Sequence, residues 1–252
     1  MPLKFREGGK TYIVEKYYED VNFGASFASN GISNSAGLRL TGPAGGLIFY
    51  AKPSYSHDAS GPFSAANGGK PWRYLELSPI YTDTSTGGST AGFIRWGRRD
   101  ILTGATAGAA GYNASGAPVA LSTNGNGLSN SYKMWAVNQN RSYFSSYDAS
   151  EATNAIVYCF GLHAGGYSDW YLPSAGECYY IWWNLVSNRA ADSSFGRGAN
   201  THLSSTGFSA SNFWSSSEVS ATYASAQNFS TGVQFNNHTK SFSNRVRAVR
   251  RF

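Results

Sequence analysis

Histidine is the side chain most often used for acid–base catalysis and for zinc binding, and this chain contains four histidines. They are His57, His163, His202 and His238. Zinc sites and catalytic triads need several such groups at characteristic spacings, whereas these four occur in unrelated sequence contexts. The histidines therefore predict neither a metal site nor a catalytic centre.

The two cysteines, Cys159 and Cys178, are the other candidates for covalent chemistry. Both fall on the apolar faces of the helices predicted below, which favours buried free thiols over a disulfide or a redox role. A reactive thiolate would need an accessible position with a lowered pKa. We therefore predict that the protein is not an enzyme and uses no cofactor.

The arginines near the C-terminus suggest either nucleic-acid binding or ion pairs. The net charge is +6, but most basic residues are scattered along the chain. The dense group is Arg245, Arg247, Arg250 and Arg251. Because phosphate binding needs a continuous basic stripe, we favour ion pairs and do not expect nucleic acid as a partner. The expected carboxylate partners are Glu76, Glu177 and Glu218.

The composition favours short strands joined by long loops. Of the 252 residues, 15% are aromatic and only 13% are charged, and 29 are glycine. Aromatic side chains beside Ser, Asn and Gly are also typical of adaptable binding surfaces. No apolar run is long enough to span a bilayer, and residues 1–5 lack an apolar signal core. We expect no membrane insertion and synthesis in the cytoplasm without Sec export.

Two amphipathic helices are predicted. The first opens with a capping box at Asp148 and Glu151, and the glycines of residues 161–166 end it. Its apolar positions are Ala152, Ala155, Ile156 and Cys159. The second opens with a capping box at Ser174 and Glu177 and extends to about Ala190. Its apolar stripe is Cys178, Ile181, Trp182, Leu185 and Val186.

Strands and loops fill the rest of the chain. The predicted strands are residues 46–50, 72–77, 92–96, 170–172, 213–217, 226–229 and 245–249. Residues 82–92 and 102–130 contain mostly small and polar side chains and are predicted to be long loops. Residues 1–44 are interpreted as a strand-bearing N-terminal arm and linker, used for attachment or for homo-oligomerisation. Residues 45–252 are interpreted as one domain.

Seven short motifs, in a fixed order, indicate a family. They are Leu47-Ile-Phe-Tyr50, Trp72-Arg-Tyr-Leu-Glu76, Trp96-Gly97, Asp169-Trp-Tyr-Leu-Pro-Ser174, Gly176-Glu177, Phe213-Trp-Ser-Ser-Ser-Glu218 and Arg245-Val-Arg-Ala-Val-Arg250. This order resembles the variable proteins of diversity-generating retroelements, in the branch with a C-type-lectin-like fold. The resemblance implies an α+β fold in which two amphipathic helices pack on a small, mostly antiparallel sheet with long loops.

The resemblance also implies a diversified receptor-binding function. In that family a reverse transcriptase rewrites adenines, so asparagine codons become a spectrum of residues that cannot include Lys, Gln, Glu, Met or Trp. Residues 219–226, 235–239 and 241–244 lack those types and are the candidate variable segments. Gln227, Gln234 and Lys240 lie between these segments and are interpreted as fixed residues. The variable region is expected at about residues 208–244. The expected ligand is a protein or glycan on a target cell surface.

The residues divide into a contact set and a frame. The expected ligand contacts are Val219, Ser220, Thr222, Tyr223, Ser225, Phe235, Asn236, Asn237, His238, Ser241, Phe242, Ser243 and Asn244. The expected frame residues are Trp72, Glu76, Trp170, Pro173, Glu177, Trp214, Glu218, Arg245, Arg247 and Arg250. No calcium site is expected, because Trp214 is followed by serines and no acidic cluster lies nearby in sequence.

The leading interpretation is a phage tail-tip protein that binds a receptor and resides in the virion. Display on a cell surface by another route is the alternative location. A non-diversified carbohydrate-binding or adhesin domain of the same fold is the alternative function.

Overall fold

A computed structural model of the chain describes residues 4–7, 10–13, 42–58, 63–79, 94–105, 127–139, 154–186, 208 and 211–252. The strands in these residues are β1 (Lys4–Glu7), β2 (Lys10–Ile13), β3 (Ile48–Ser56), β4 (Trp72–Leu77), β5 (Ile94–Arg95), β6 (Asn212–Glu218), β7 (Tyr223–Asn228), β8 (Gln234–Thr239), β9 (Ser243–Asn244) and β10 (Val249–Arg251). The α-helices are α1 (Gly127–Gln139), α2 (Ala155–Phe160) and α3 (Ala175–Ile181).

The described strands form small antiparallel sheets, so the fold class is α+β. One sheet has the order β10-β4-β3 and another the order β6-β7-β8. Two-stranded pairs join β5 to β9 and β1 to β2. The β1–β2 hairpin lies in the predicted N-terminal arm, where strands were expected.

Strand β6 is buried on both faces. Successive side chains of a strand point to opposite sides, and here Phe213 enters one hydrophobic cluster while Trp214 enters the other. The Phe213 cluster includes Phe49, Leu75 and Ile181, which come from β3, β4 and α3. Because both faces of β6 are covered, its residues are buried almost without interruption and do not alternate between buried and exposed.

Helix α3 begins where the capping box predicted. The Ser174 hydroxyl accepts from the Glu177 amide, and the Glu177 carboxylate accepts from the Ser174 amide. Every residue of α3 is buried, so the prediction that this helix is amphipathic is wrong. From Trp182 to Val186 the chain continues as a π-helical turn, and Leu185 and Val186 are buried as predicted, while Trp182 is half-buried. Residues 187–190, in the predicted C-terminal part, lie outside the described residues.

Helix α2 has a different cap from the one predicted. The side chain of Asn154 accepts from the amides of Ile156 and Val157, so α2 begins at Ala155. Asp148, Glu151 and Ala152 lie outside the described residues. Ala155, Ile156 and Cys159 are buried as predicted, and the helix ends at Gly161. Asparagine is as good an N-cap as aspartate, and Asn154 caps the described helix.

Helix α1 corrects the loop prediction for residues 127–130, whereas residues 102–105 form a loop as predicted and residues 106–126 lie outside the described residues. Its polar residues Asn130 and Ser131 are buried, and the Ser131 hydroxyl both donates to the Leu172 carbonyl and accepts from the Leu172 amide. At the start of the helix, a Cβ on Gly127 would lie 2.0 Å from an oxygen of Glu177. Small polar residues therefore serve close packing here. The predicted loop at residues 82–92 lies outside the described residues.

Several strand boundaries also differ from the predictions. Residues 170–172 contribute a single bridge, Tyr171 to Val249, rather than a strand. Strand β3 continues through Pro53, which is tolerated because β3 lies at the edge of its sheet. The polar strand β8 and the short β9 were not predicted, and the strand expected at residues 245–249 forms only at Val249–Arg251. Among the described residues, no helix is long and apolar enough to cross a membrane.

Candidate binding surface

The expected ligand contacts lie on and around the β6-β7-β8 sheet. Strand β7 is central and mostly buried, and it pairs with β8, which lies at one edge of the three-stranded sheet. Tyr223 lies opposite Thr239, and Ala224 lies opposite His238. The turn after β6, strand β8 and the turn before β9 thereby come together at one side of the sheet.

Most of the expected contact residues are accessible. Those exposed are Val219, Tyr223, Asn236, Asn237, Phe242 and Ser243. Those half-buried are Ser220, Thr222, Phe235, His238 and Ser241. These two groups together are called the contact surface below. The contact surface contains no Asp, Glu, Lys or Arg, so its own side chains are neutral apart from the titration of His238.

Ser225 and Asn244 are corrections to the expected contact set, because both are buried. The Ser225 hydroxyl donates to the Asn236 side chain at 2.9 Å and so supports an exposed residue from beneath. Asn244 pairs with Ile94 between β9 and β5. These two residues belong to the framework under the surface.

An aromatic cluster is centred on His238. The ring of His238 lies 4.9 Å from Phe235, 5.7 Å from Phe242 and 5.9 Å from the buried Trp214, measured between centroids. Partial burial lowers the pKa of His238. The Asn244 side-chain amide lies 3.1 Å from Nδ1 of His238 and can only donate there, so Nδ1 is the acceptor of a neutral imidazole. The cluster is therefore an uncharged aromatic platform.

The residues predicted to interrupt the variable segments have structural contacts. Gln227 and Lys240 are completely buried. The Gln234 side-chain amide donates to the carbonyl of Ala175 at 2.6 Å, which ties β8 to the start of α3. Gln227 and Lys240 are thus buried positions, whereas Gln234 is half-buried like the neighbouring Phe235.

A buried ion pair lies under the contact surface. Nζ of Lys240 is 2.6 Å from Oε1 of Glu218, and both side chains are almost completely inaccessible. Nζ also donates to the Ile101 carbonyl and lies 4.6 Å from the centroid of a Trp96 ring. Burial lowers the pKa of Lys240, and the hydrogen bond and charge of Glu218 oppose that effect. The pair joins the end of β6 to the turn after β8.

The frame arginines pair with only one of the expected carboxylates, Glu76. Arg250 contacts Glu76 at 3.3 Å and also Asp169, an acceptor that the sequence analysis missed, at 2.8 Å. Glu218 pairs with Lys240 instead of an arginine. Arg247 lies with its guanidinium 5.5 Å from the Phe208 ring. The expectation that Glu218 would hold a C-terminal arginine is therefore wrong.

Glu177 is completely buried, and its described hydrogen-bond partners are neutral. It accepts from the Ser174 amide and from the Tyr171 hydroxyl. Burial raises its pKa to about 7, although these hydrogen bonds and the charge of Arg251 act in the opposite direction. The described hydrogen bonds of Glu177 thus come from neutral groups, and Arg251 acts on it through its charge.

The other frame residues are buried or half-buried, as expected for side chains that support the fold. Buried side chains are those of Trp72, Trp170, Pro173, Trp214 and Arg247, and Arg245 is half-buried. Nε1 of Trp214 donates to the Ile94 carbonyl at 2.8 Å. Both cysteines are free and buried, and burial raises the pKa of each thiol. Across the described part of the chain, no group of three His, Cys, Asp or Glu residues could hold a metal ion.

Comparison with known proteins adds no assignment. No model of a protein family matches the chain, and no curated protein matches it either.

Proposed function

We propose that this protein is a diversified ligand-binding protein with a C-type-lectin-like fold, and that the contact surface binds a protein or glycan on a target cell. The setting that suits it best is the tail tip of a phage, where the protein binds a receptor. The proposal joins the motif order in the sequence to the geometry of the β6-β7-β8 sheet.

One observation carries the proposal. Along residues 219–244, most positions with side-chain types that an adenine-mutated asparagine codon can produce are exposed or half-buried. The interrupting Gln227 and Lys240 are buried, and Gln234 is tied to α3. The sorting is partial, because Gln234 is half-buried and five permitted positions are buried, namely Ala224, Ser225, Ala226, Phe229 and Asn244. This sorting supports a surface of variable residues on a framework of constant residues.

The chemistry of the contact surface also supports binding. Phe242 is 53% exposed and Tyr223 is 41% exposed, and each can bury apolar area against a partner. Around them are Ser, Thr and Asn side chains that adjust their hydrogen bonds easily. A rigid aromatic centre with an adaptable polar border is typical of protein interfaces that concentrate binding energy in few residues.

The alternative is a carbohydrate-binding or adhesin domain of the same fold that is not diversified. The encoding DNA separates the two functions. A diversified protein requires a near-repeat of the segment for residues 213–252 that differs only at adenines, beside a reverse transcriptase gene. Sequencing that finds neither element would overturn the proposal in favour of the adhesin.

A variant with the contact aromatics removed tests the surface itself. Tyr223, Phe235, His238 and Phe242 are replaced together by Ser or Asn. Because none of them is fully buried, we expect a loss of unfolding free energy below about 2 kcal/mol in total. Binding is measured against a phage-displayed library of cyclic peptides and an array of cell-surface glycans. Probes that bind the wild-type protein should lose at least about 100-fold in affinity.

The matched control is Trp214→Ala, which removes a completely buried ring. It should destabilise the protein by about 3 to 5 kcal/mol because it opens a cavity. If the quadruple variant unfolds as readily as this control, the four aromatics are part of the core. If the variant is folded and still binds every probe, the ligand site lies elsewhere on the molecule.

A further inference from the structure

The loop of residues 99–105, which follows β5, lies against the contact surface although it is more than 110 residues away in sequence. The amide of Asp100 donates to the Ala221 carbonyl at 2.9 Å. The Thr222 hydroxyl donates to the Asp100 carboxylate at 3.2 Å. Asp100 has a φ of 66°, a left-handed conformation that is uncommon for residues other than glycine. These contacts join the beginning of the 99–105 loop to the turn between β6 and β7.

The buried ion pair holds the next part of the loop. The Ile101 carbonyl accepts from Lys240, while the amides of Thr103 and Gly104 donate to the Glu218 carboxylate. The two residues that flank Leu102 are thus bound to opposite members of one pair. A loop fixed at these points presents Leu102 in a single orientation and loses little further freedom when a ligand binds.

Leu102 itself is 66% exposed, more than any other large hydrophobic side chain among the described residues. A single exposed leucine is ordinary on a protein surface. Leu102 differs from an ordinary exposed leucine because both of its neighbours in the chain are hydrogen-bonded, Ile101 to Lys240 and Thr103 to Glu218. Val219, which directly follows Glu218 in the chain, is also exposed.

We propose that the 99–105 loop is a constant part of the binding surface, and that Leu102 contacts an apolar side chain of a protein ligand. This inference rests on the proposed function and extends it to residues outside the variable region. The loop would give every variant the same apolar contact, while the neighbouring residues change the specificity.

The chemistry of this region favours a protein over a glycan. Leu102 and Val219 have no group that can hydrogen-bond to a sugar hydroxyl. The charges of Arg99 and Asp100 offset each other across a 3.0 Å ion pair, so the loop adds no excess charge to the neutral contact surface. An uncharged protein surface with a protruding apolar side chain fits both properties.

The test compares Leu102→Ser with Val233→Ser. Val233 is 48% exposed and lies in the turn between β7 and β8, away from the 99–105 loop in the hydrogen-bonding pattern. The probes are cyclic peptides selected from a phage-displayed library on the immobilised wild-type protein. Leu102→Ser should weaken peptide binding about tenfold and leave the thermal midpoint unchanged, and Val233→Ser should change neither.

The quadruple aromatic variant separates this inference from the proposed function. If it loses the selected peptides while Leu102→Ser binds them like the wild type, the constant loop contact is wrong and the proposed function stands. If neither variant loses them, both proposals fail. Selective binding to the glycan array, with no peptide selected, would overturn the assignment of a protein ligand.

Discussion

The buried carboxyl group of Glu177 shows how strongly the surroundings of one residue determine its pKa. Glu177 closes the capping box of α3, but its whole side chain is buried and its pKa is raised to about 7. The sequence indicated the cap correctly because the Ser-x-x-Glu spacing is local. The sequence could not indicate that the described hydrogen bonds of Glu177 come from Ser174 and Tyr171 rather than from an arginine, since ion pairing depends on residues distant in the chain.

Replacement of Glu177 by Gln should change how stability depends on pH. The carboxyl group has its ordinary pKa of 4.5 in the unfolded chain and about 7 in the folded protein. Its contribution to stability is complete below pH 4.5 and is lost as pH rises through 7. That loss amounts to roughly 3 kcal/mol, which Glu177→Gln should avoid because glutamine stays neutral. Denaturant unfolding from pH 4.5 to 8 measures the difference, and parallel curves for both proteins would contradict the prediction.

Among the elements, strand β10 carries one arginine, Arg250, whose side chain forms ion pairs with two other segments. Arg250 connects β10 to Glu76 of β4 and to Asp169 before the buried segment 170–174. Glu76 is completely buried and also accepts from the amides of Ala44 and Gly46. The chain end, the central strand and the entry to β3 therefore meet at one carboxylate.

Arg250→Met should cost about 3 to 5 kcal/mol of unfolding free energy, because it leaves the buried Glu76 without its cation. Adding Glu76→Gln should restore part of that loss, since glutamine can still accept from the two amides. The matched control is Asp169→Asn, which alters a side chain that is 54% exposed and should cost less than about 1 kcal/mol. Equal losses for Arg250→Met and Asp169→Asn in urea unfolding would contradict this assignment.

Local signals explain which elements the sequence predicted. The strand at Trp72–Leu77 and the start of α3 follow from nearby side chains, so they were predicted correctly. Helix α1 was missed because it uses buried Asn130 and Ser131, whose partners are distant in sequence. Strand β8 was missed because its polar residues have weak β propensity, and pairing with β7 determines it instead. The 99–105 loop had no sequence signal, since its partners are Glu218 and Lys240.

On the scale of the whole molecule, stability and the contact surface are separated in space. The described hydrophobic clusters lie on the two sides of β6. The contact surface lies over the outer part of the β6-β7-β8 sheet. An independent domain that starts near residue 45 stays a prediction.

A fragment of residues 40–252 should therefore fold without the N-terminal arm. We expect its thermal midpoint to lie within about 3 °C of that of the full chain, because both described hydrophobic clusters are retained in the fragment. Light scattering on both proteins reports whether the arm also mediates oligomerisation, as a decrease in mass for the fragment. Unfolding of the fragment under conditions in which the full chain is folded would show that the arm belongs to the domain.

The buried Lys240 also has a genetic consequence. Every lysine codon contains adenine, so residue 240 stays fixed under an enzyme that rewrites adenines between residues 219 and 244 only if selection removes the chains in which codon 240 has changed. Most replacements would leave Glu218 buried without a cation, and such chains would fold poorly. If the protein is diversified as proposed, the number of folded variants is smaller than the number of possible codon combinations, because selection for folding removes variants before any of them meets a ligand.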